Sequence, residues 1–373
     1  MPDQQRILFV GNSRIGDAVL ASGLLARLVE TRPEALFTVA AGPLAAPLFA
    51  ETPRLERLLV VRKQKGLGHW LALWNAVRGT RWELIVDLRG GVLSRLAPTR
   101  RRAVLRRPAR PAIRHKVIEA AEVMGWSADP PAPRLFVSPV TAARGAAVLA
   151  GDGPVLAIGP GASRWEKIWP AEKFGEMAAS LLGPGGALAG GRLAIFGSEA
   201  EARLAQAAAA ALPADRVIDL CGKLSLLEVH AALAGARLFV GNDSGLMHLA
   251  AAAGAPTLGL FGPTDERLYA PWGPQGRVVR SAGSSPCPEV SALTVDDALA
   301  AASALVAETA GRFCVGDEPT IADCCLVPQI HSARRFGASL DGLDRIVRIA
   351  DECDALPAFA NALPARQPDA RAA

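Results

Sequence analysis

Several things are scarce in this chain, and each scarcity removes a class of protein. No uninterrupted apolar run approaches the roughly 20 residues that cross a bilayer. The opening MPDQQR passes straight into ILFV, without the cationic segment and apolar core of a signal peptide, so the expected location is the cytoplasm. The six cysteines of the 373 residues show neither the paired spacing of a zinc site nor that of a disulfide framework. Reduced thiols, no structural disulfide and no metal are expected. A GxGxxG fingerprint is absent, which disfavours a dinucleotide dehydrogenase. Aromatic residues make up 5% of the chain. None interleave with the basic stretch SRLAPTRRRAVLRRPARPAIRHK, so nucleic acid is not an expected partner.

What is present is an α/β pattern. The first half opens with the strand-like RILFV, the turn GNSRIGD and the helical AVLASGLLARLVE; WELIVDLRG reads as a further buried strand. A Pro-rich stretch follows, then a short helix, and residues 128–150 read as the connection to a second domain. There VLAIG, GRLAIFG, RVIDL, ARLFVG and PTLGLFG alternate with turns and helices. That alternation implies a second parallel sheet, with ligand loops at the carboxyl ends of its strands and a cleft between the two domains. The length supports two substantial domains. Beyond the helix TVDDALAAASALVAE the pattern becomes purely helical. Four of the six cysteines lie after residue 310, and Thr320 and Asp323 form a capping box at the start of a helix.

The candidate functional residues sit where strands hand over to helices. Asp17 falls in the first turn after GNSRIGD, either as a reacting carboxylate or as a favourable charge at a helix start. Ser163 and Lys167 lie in PGASRWEKIWP, where Lys167 is either a phosphate-binding cation or a solvated one. Ser198 and Glu199 open a helix after FG; both suit a cap, and Glu199 equally suits a ribose. GNDSGLMHLAAAAGAP reads either as a plain helix cap or as an anion site; in the second reading the amides of Ser244, Gly245 and Leu246 are free to meet an anion, with Gly245 lacking a side chain that would block it. His248 lies one turn further on the same face as Ser244, beside Asp243. Thr264, in FGPT after the next strand, is expected to reach the same crevice. The stretch 94–116 carries nine Arg or Lys and no acid. Arg100, Arg101, Arg102, Arg106 and Arg107 thus suit a phosphorylated acceptor or an anionic membrane surface, or form a solvated basic face.

In this order the motifs ILFVGNSRIGDAVLASGLLARL, LIVDLRGGVLSRL, PGAS…EKIWP, FGSEAE and GNDSGLMHLAAAAGAPTLGLFGPTDERLYAPWG resemble glycosyltransferase family 9, the ADP-heptose:lipopolysaccharide heptosyltransferases, over residues 5–308. The resemblance implies a GT-B fold: Rossmann-like domains at 1–150, for the acceptor, and 151–308, for the nucleotide sugar, facing a cleft. It also implies metal-independent, cofactor-free, inverting transfer of a sugar from a nucleotide diphosphate to a lipopolysaccharide core or lipid-linked acceptor, with peripheral contact at the inner face of the inner membrane. Asp17 matches the family's general base. Lys167, Ser244 and Gly245 match the diphosphate site, Glu199 the ribose contact, and Asp243 and His248 further donor-site positions. The loop SRWEK departs from the family's commoner spacing.

Residues 309–373 form an all-α appendage of another kind. GDEPTIADCCLVPQ and the residues after it resemble the end of maleylacetoacetate isomerase, the zeta-class glutathione transferase, and Arg335 matches a substrate-side arginine there. The glutathione-binding thioredoxin-like domain of that family, with its Ser-Ser-x-Cys motif, has no counterpart in this sequence. The competing reading is a glutathione-linked isomerase or helical interaction module governed by this segment.

Overall fold

A computed structural model describes residues 5–62, 68–91, 93–106, 113–281, 289–309, 319, 321–338, 340 and 344–362. Arg107 and Thr320 lie outside the described residues, and with them the capping box read at residue 320. The chain divides into two compact units, Met1–Leu305 and Val306–Ala373.

The first unit begins with five strands: β1 (Arg6–Val10), β2 (Leu36–Ala41), β3 (Leu55–Val60), β4 (Trp82–Asp87) and β5 (Thr99–Val104). They form one parallel sheet in the order β3-β2-β1-β4-β5. Alternate side chains of the central strands enter different apolar clusters, because successive residues of a strand point to opposite faces. Ile7, Phe9, Leu84 and Val86 join one cluster, and Leu8, Val10 and Ile85 the other. A strand covered on both faces must be apolar throughout, which is why β1 and β4 announce themselves in the sequence. The edge strand β5, TRRRAV, has no such requirement. Its arginines are exposed, and Arg100 donates to Glu83 on the neighbouring strand at 3.2 Å.

The connection read at 128–150 contains the expected short helix, Pro139–Val148, and it is docked. Its start is tied to the first half: Ser138 accepts from the Thr141 amide at 3.2 Å, while the Thr141 and Ser138 hydroxyls donate to Glu51 at 2.6 and 3.2 Å. Partial burial works against the Glu51 carboxylate, but these hydrogen bonds prevail and hold its pKa below the ordinary value. On the other side Gly145 lies against the helix Leu226–Leu233. A Cβ there would sit 2.5 Å from Ala231 Cβ and 2.7 Å from the Glu228 carbonyl oxygen.

The second sheet comprises β6 (Val155–Gly159), β7 (Arg192–Ile195), β8 (Val217–Asp219), β9 (Leu238–Asn242), β10 (Thr257–Phe261) and β11 (Gly276–Arg280), all parallel, in the order β11-β10-β9-β6-β7-β8. The five strands expected from the sequence are all present. The edge strand β11, GRVVR, is additional, and like β5 it is too polar and exposed to stand out. In both sheets the strand order reverses between the first and fourth strands, β1/β4 and β6/β9. A crevice opens at the carboxyl ends there.

The second unit, described by itself, contains the helices Ile321–Arg335, Asp344–Asp354 and Pro357–Ala362. Val327, Ile349 and Cys353 form its small core with Leu326, Leu356 and Phe359. Arg334 donates to Asp351 at 2.7 Å and His331 bonds Asp354 at 3.0 Å, stapling the first two helices together. No helix among the described residues is long and apolar enough to cross a membrane.

Candidate functional site

The loop leaving β1 enters the short helix Ile15–Leu20, and Asp17 stands in its first turn. Asn12 of the same loop donates to the Asp17 carbonyl at 3.1 Å, which fixes the turn. Asp17 is half-buried. Burial raises its carboxyl above the ordinary value, nearby Glu119 and Asp243 add to the rise, and Arg14 and Lys116 oppose it. A cavity of about 160 Å³ opens beside it, lined by Asn12, Asp17, Leu88, Lys116, Glu119 and Tyr269 among others. A partly desolvated carboxylate facing a small polar cavity is chemically able to accept a proton from a group bound there. Lys116 and Glu119 form an ion pair in the first turn of the helix Lys116–Glu122. The Lys116 ammonium lies 6.0 Å from the centre of the Tyr269 ring.

The second crevice is braced across the β6/β9 reversal. Asn242, at the end of β9 and fully buried, accepts from the Trp169 amide at 3.1 Å and donates to the Pro160 carbonyl at 2.7 Å. Both partners belong to the segment after β6. One residue on, Asp243 accepts from Lys167 at 2.5 Å, with the two side chains only 7% and 16% exposed. This rules out the solvated alternative for Lys167. The Lys167 charge is held in the crevice by Asp243, because an ammonium so far from water needs a counter-charge.

Ser244 occupies the N-cap of the helix Gly245–Ala252 but makes no side-chain cap bond. Its hydroxyl is buried without a hydrogen-bond partner, as is His248 Nδ1. The cap explanation of this stretch therefore fails, and two polar atoms stand at the helix start with their bonding capacity unspent. His248 is 3% exposed, and burial pulls its pKa down to about 4 despite Asp243, so the ring is neutral. Gly245 also serves a packing purpose. A Cβ there would meet Ile15 Cγ2 at 2.7 Å, so the missing side chain admits the first half of the chain. In return, a Cβ on Gly16 would lie 2.9 Å from His248 Cδ2. These two glycines bring Asp17 and His248 to facing helix starts.

The remaining expected residues divide. After β7, Ser198 and Glu201 bond each other, the Glu201 carboxylate accepting from the Ser198 amide at 2.7 Å and hydroxyl at 2.8 Å. The cap thus uses Glu201, and Glu199 is left exposed. Ser163 is exposed in the loop after β6. Thr264 is half-buried after β10, its carbonyl accepting from Arg280 at 3.2 Å. Two of the basic residues already have protein partners. Arg102 donates to the Ser94 and Ala97 carbonyls at 2.9 and 2.7 Å, closing the carboxyl end of the helix Leu93–Leu96, and Arg100 is paired with Glu83. Arg101 and Arg106 are exposed.

Sequence reasoning passed over Asn12, Lys116, Glu119, Asn242 and Tyr269. Lys116 ends the basic stretch, and Tyr269 lies in the quoted YAPWG. Their joint approach to Asp17 exists only in the folded chain.

Residues 89–298 match the model of glycosyltransferase family 9 (heptosyltransferase). Lipooligosaccharide heptosyltransferase 2 of Haemophilus influenzae is 26% identical over 310 residues, 74% of this chain and 88% of that one. The fold is similar to that of the ADP-heptose lps heptosyltransferase II of E. coli, with a TM-score of 0.67 at 22% identity, covering 82% of this chain and all of that one. Two Rossmann-like sheets of this kind are the GT-B arrangement. Elsewhere, maleylacetoacetate isomerase of Pseudomonas aeruginosa is 48% identical over 79 residues. That is 21% of this chain, which spans about a third of the isomerase's length, 36%. With a family match over more than half its length, the chain belongs to glycosyltransferase family 9, the heptosyltransferases, and is a glycosyltransferase.

Proposed function

We propose that this glycosyltransferase moves heptose from ADP-heptose to a lipopolysaccharide inner-core or similar lipid-linked sugar, with Asp17 as the general base. The observation that carries the reading is the half-buried Asp17 carboxylate, raised by burial, at a 160 Å³ cavity next to a second helix start with unspent donors. The acceptor hydroxyl oxygen attacks the anomeric carbon as its proton passes to an Asp17 carboxylate oxygen. The bond from that carbon to the diphosphate oxygen breaks, and ADP departs with the bonding pair. The acceptor enters on the face opposite the leaving group, so the configuration inverts.

Charge develops on the diphosphate oxygen during this step. The Ser244 hydroxyl, the free amides at the start of the helix Gly245–Ala252, and the Lys167 ammonium held by Asp243 are suited to receive it, with no reorganisation at the moment of reaction. Neutral His248 supplies one further N–H. The exposed Glu199 suits the ribose, and Ser163 and Thr264 flank the same crevice. Exposed Arg101 and Arg106 favour a phosphorylated acceptor at the membrane surface. Division at 1–150, 151–308 and 309–373 belongs to this reading, with the last part as an appendage to the transferase.

Asp17→Ala tests it. Removing a general base costs about 10²–10⁴-fold in rate, so heptose transfer should fall by that order while ADP binding, read by calorimetry, stays unchanged. Transfer at the wild-type rate would remove Asp17 from the chemistry.

A further inference from the structure

His115 is the residue before the helix that carries Lys116 and Glu119, and its ring touches both halves of the transferase unit. Nδ1 accepts from the Val117 amide at 3.3 Å, which makes His115 the N-cap of that helix. An amide is always the donor, so Nδ1 is the bare nitrogen and the proton of the neutral ring sits on Nε2. Nε2 lies 2.9 Å from the Ala270 carbonyl oxygen in the second half, and the N–H donates to it. The ring also packs against Trp272, centroid to centroid 4.8 Å. Burial lowers the His115 pKa, which keeps the ring in the one state that serves both bonds. Tyr269, one residue before Ala270, lines the cavity opposite Lys116.

We propose that His115 is a positioning residue for sugar transfer, a latch that fixes the helix Lys116–Glu122 to the segment Tyr269–Trp272 and so holds Lys116 and Glu119 at the Asp17 cavity. The proposal rests on the transferase reading above. Among the described residues, no other side chain in this helix start hydrogen-bonds a backbone group of the second half. The latch makes closure of the cleft and assembly of the cavity one event, since the same residue caps the helix and bonds across.

Two substitutions separate the functions of the ring. His115→Asn keeps an oxygen near the Nδ1 position, so the helix remains capped, but it is too short to reach Ala270. His115→Gln extends an amide N–H towards the Nε2 position and keeps the cross-bond. With ADP-heptose as donor, kcat of the Asn variant should fall roughly tenfold or more, as a small misplacement of reacting groups does. Its ADP affinity and thermal midpoint should match wild type, and the Gln variant should recover most of kcat. Amide hydrogen exchange on the full chain gives a readout that needs no activity: residues 269–272 should exchange faster in the Asn variant and not in the Gln variant, whose lost cap frees only the amides at the start of the helix 116–122. Wild-type kcat and exchange in His115→Asn would overturn the latch, as would equal losses in both variants with a lowered midpoint. If wild type itself transfers no heptose, the functional reading fails and the exchange comparison still decides the latch.

Discussion

At the scale of single residues, the site depends on carboxylates whose neighbours differ. Asp17 is raised by burial and has Lys116 nearby to limit the rise; Asp243 is paired directly with Lys167. In the proposed role of general base Asp17 works only when deprotonated, so kcat/KM should fall on the acid side through a pKa above the ordinary carboxylate value of 3.8. Lys116→Met removes a cation that favours the anionic form, which raises the Asp17 pKa further. The acid limb of the pH profile should therefore move to higher pH in that variant. A limb that stays in place, or moves down, would show that Lys116 does not act on Asp17. Asp17, Lys167, Asp243 and His248 were all legible as single letters at strand-to-helix junctions. The sequence did not show that Lys167 is spent on Asp243, because the pairing spans 76 residues and is made by the adjacency of β6 and β9.

At the scale of elements, close packing sets the geometry of the cleft. Gly145 lets the helix Pro139–Val148 lie against the helix Leu226–Leu233, and Gly16 and Gly245 let the two helix starts at the site touch. Gly145→Ala on an isolated helix would stabilise it by about 1 kcal/mol. Here the added methyl meets Ala231 and the Glu228 carbonyl inside contact distance, and overpacking of this kind costs about 1–3 kcal/mol. The clash is expected to win, giving a net loss of stability in urea denaturation. A stabilised Gly145→Ala protein would mean that the helices part at no cost. The sequence marked 128–150 as a connection with a short helix after its prolines, and the helix Pro139–Val148 is there; its packing against the helix Leu226–Leu233 was not legible. Alanine-rich faces of this kind carry little periodic contrast.

At the scale of the whole molecule, the chain is a transferase unit and a helical unit with its own small core. Because Val327, Ile349 and Cys353 form that core among themselves and their neighbours, truncation after Thr309 should leave ADP affinity and heptose transfer near wild type. Loss of soluble, ADP-binding protein on truncation would show that the transferase unit needs the appendage to fold. The sequence by itself determined the fold class and the family, because buried parallel strands must be apolar and the loops that follow them must carry the polar chemistry. It left β5 and β11 hidden, since an edge strand is released from that requirement. Only the tertiary structure decided which side chains share the cavity with Asp17, that Gly245 admits Ile15, and that His115 spans the halves. Those facts depend on contacts between residues far apart in the chain, and no local pattern of residues encodes them.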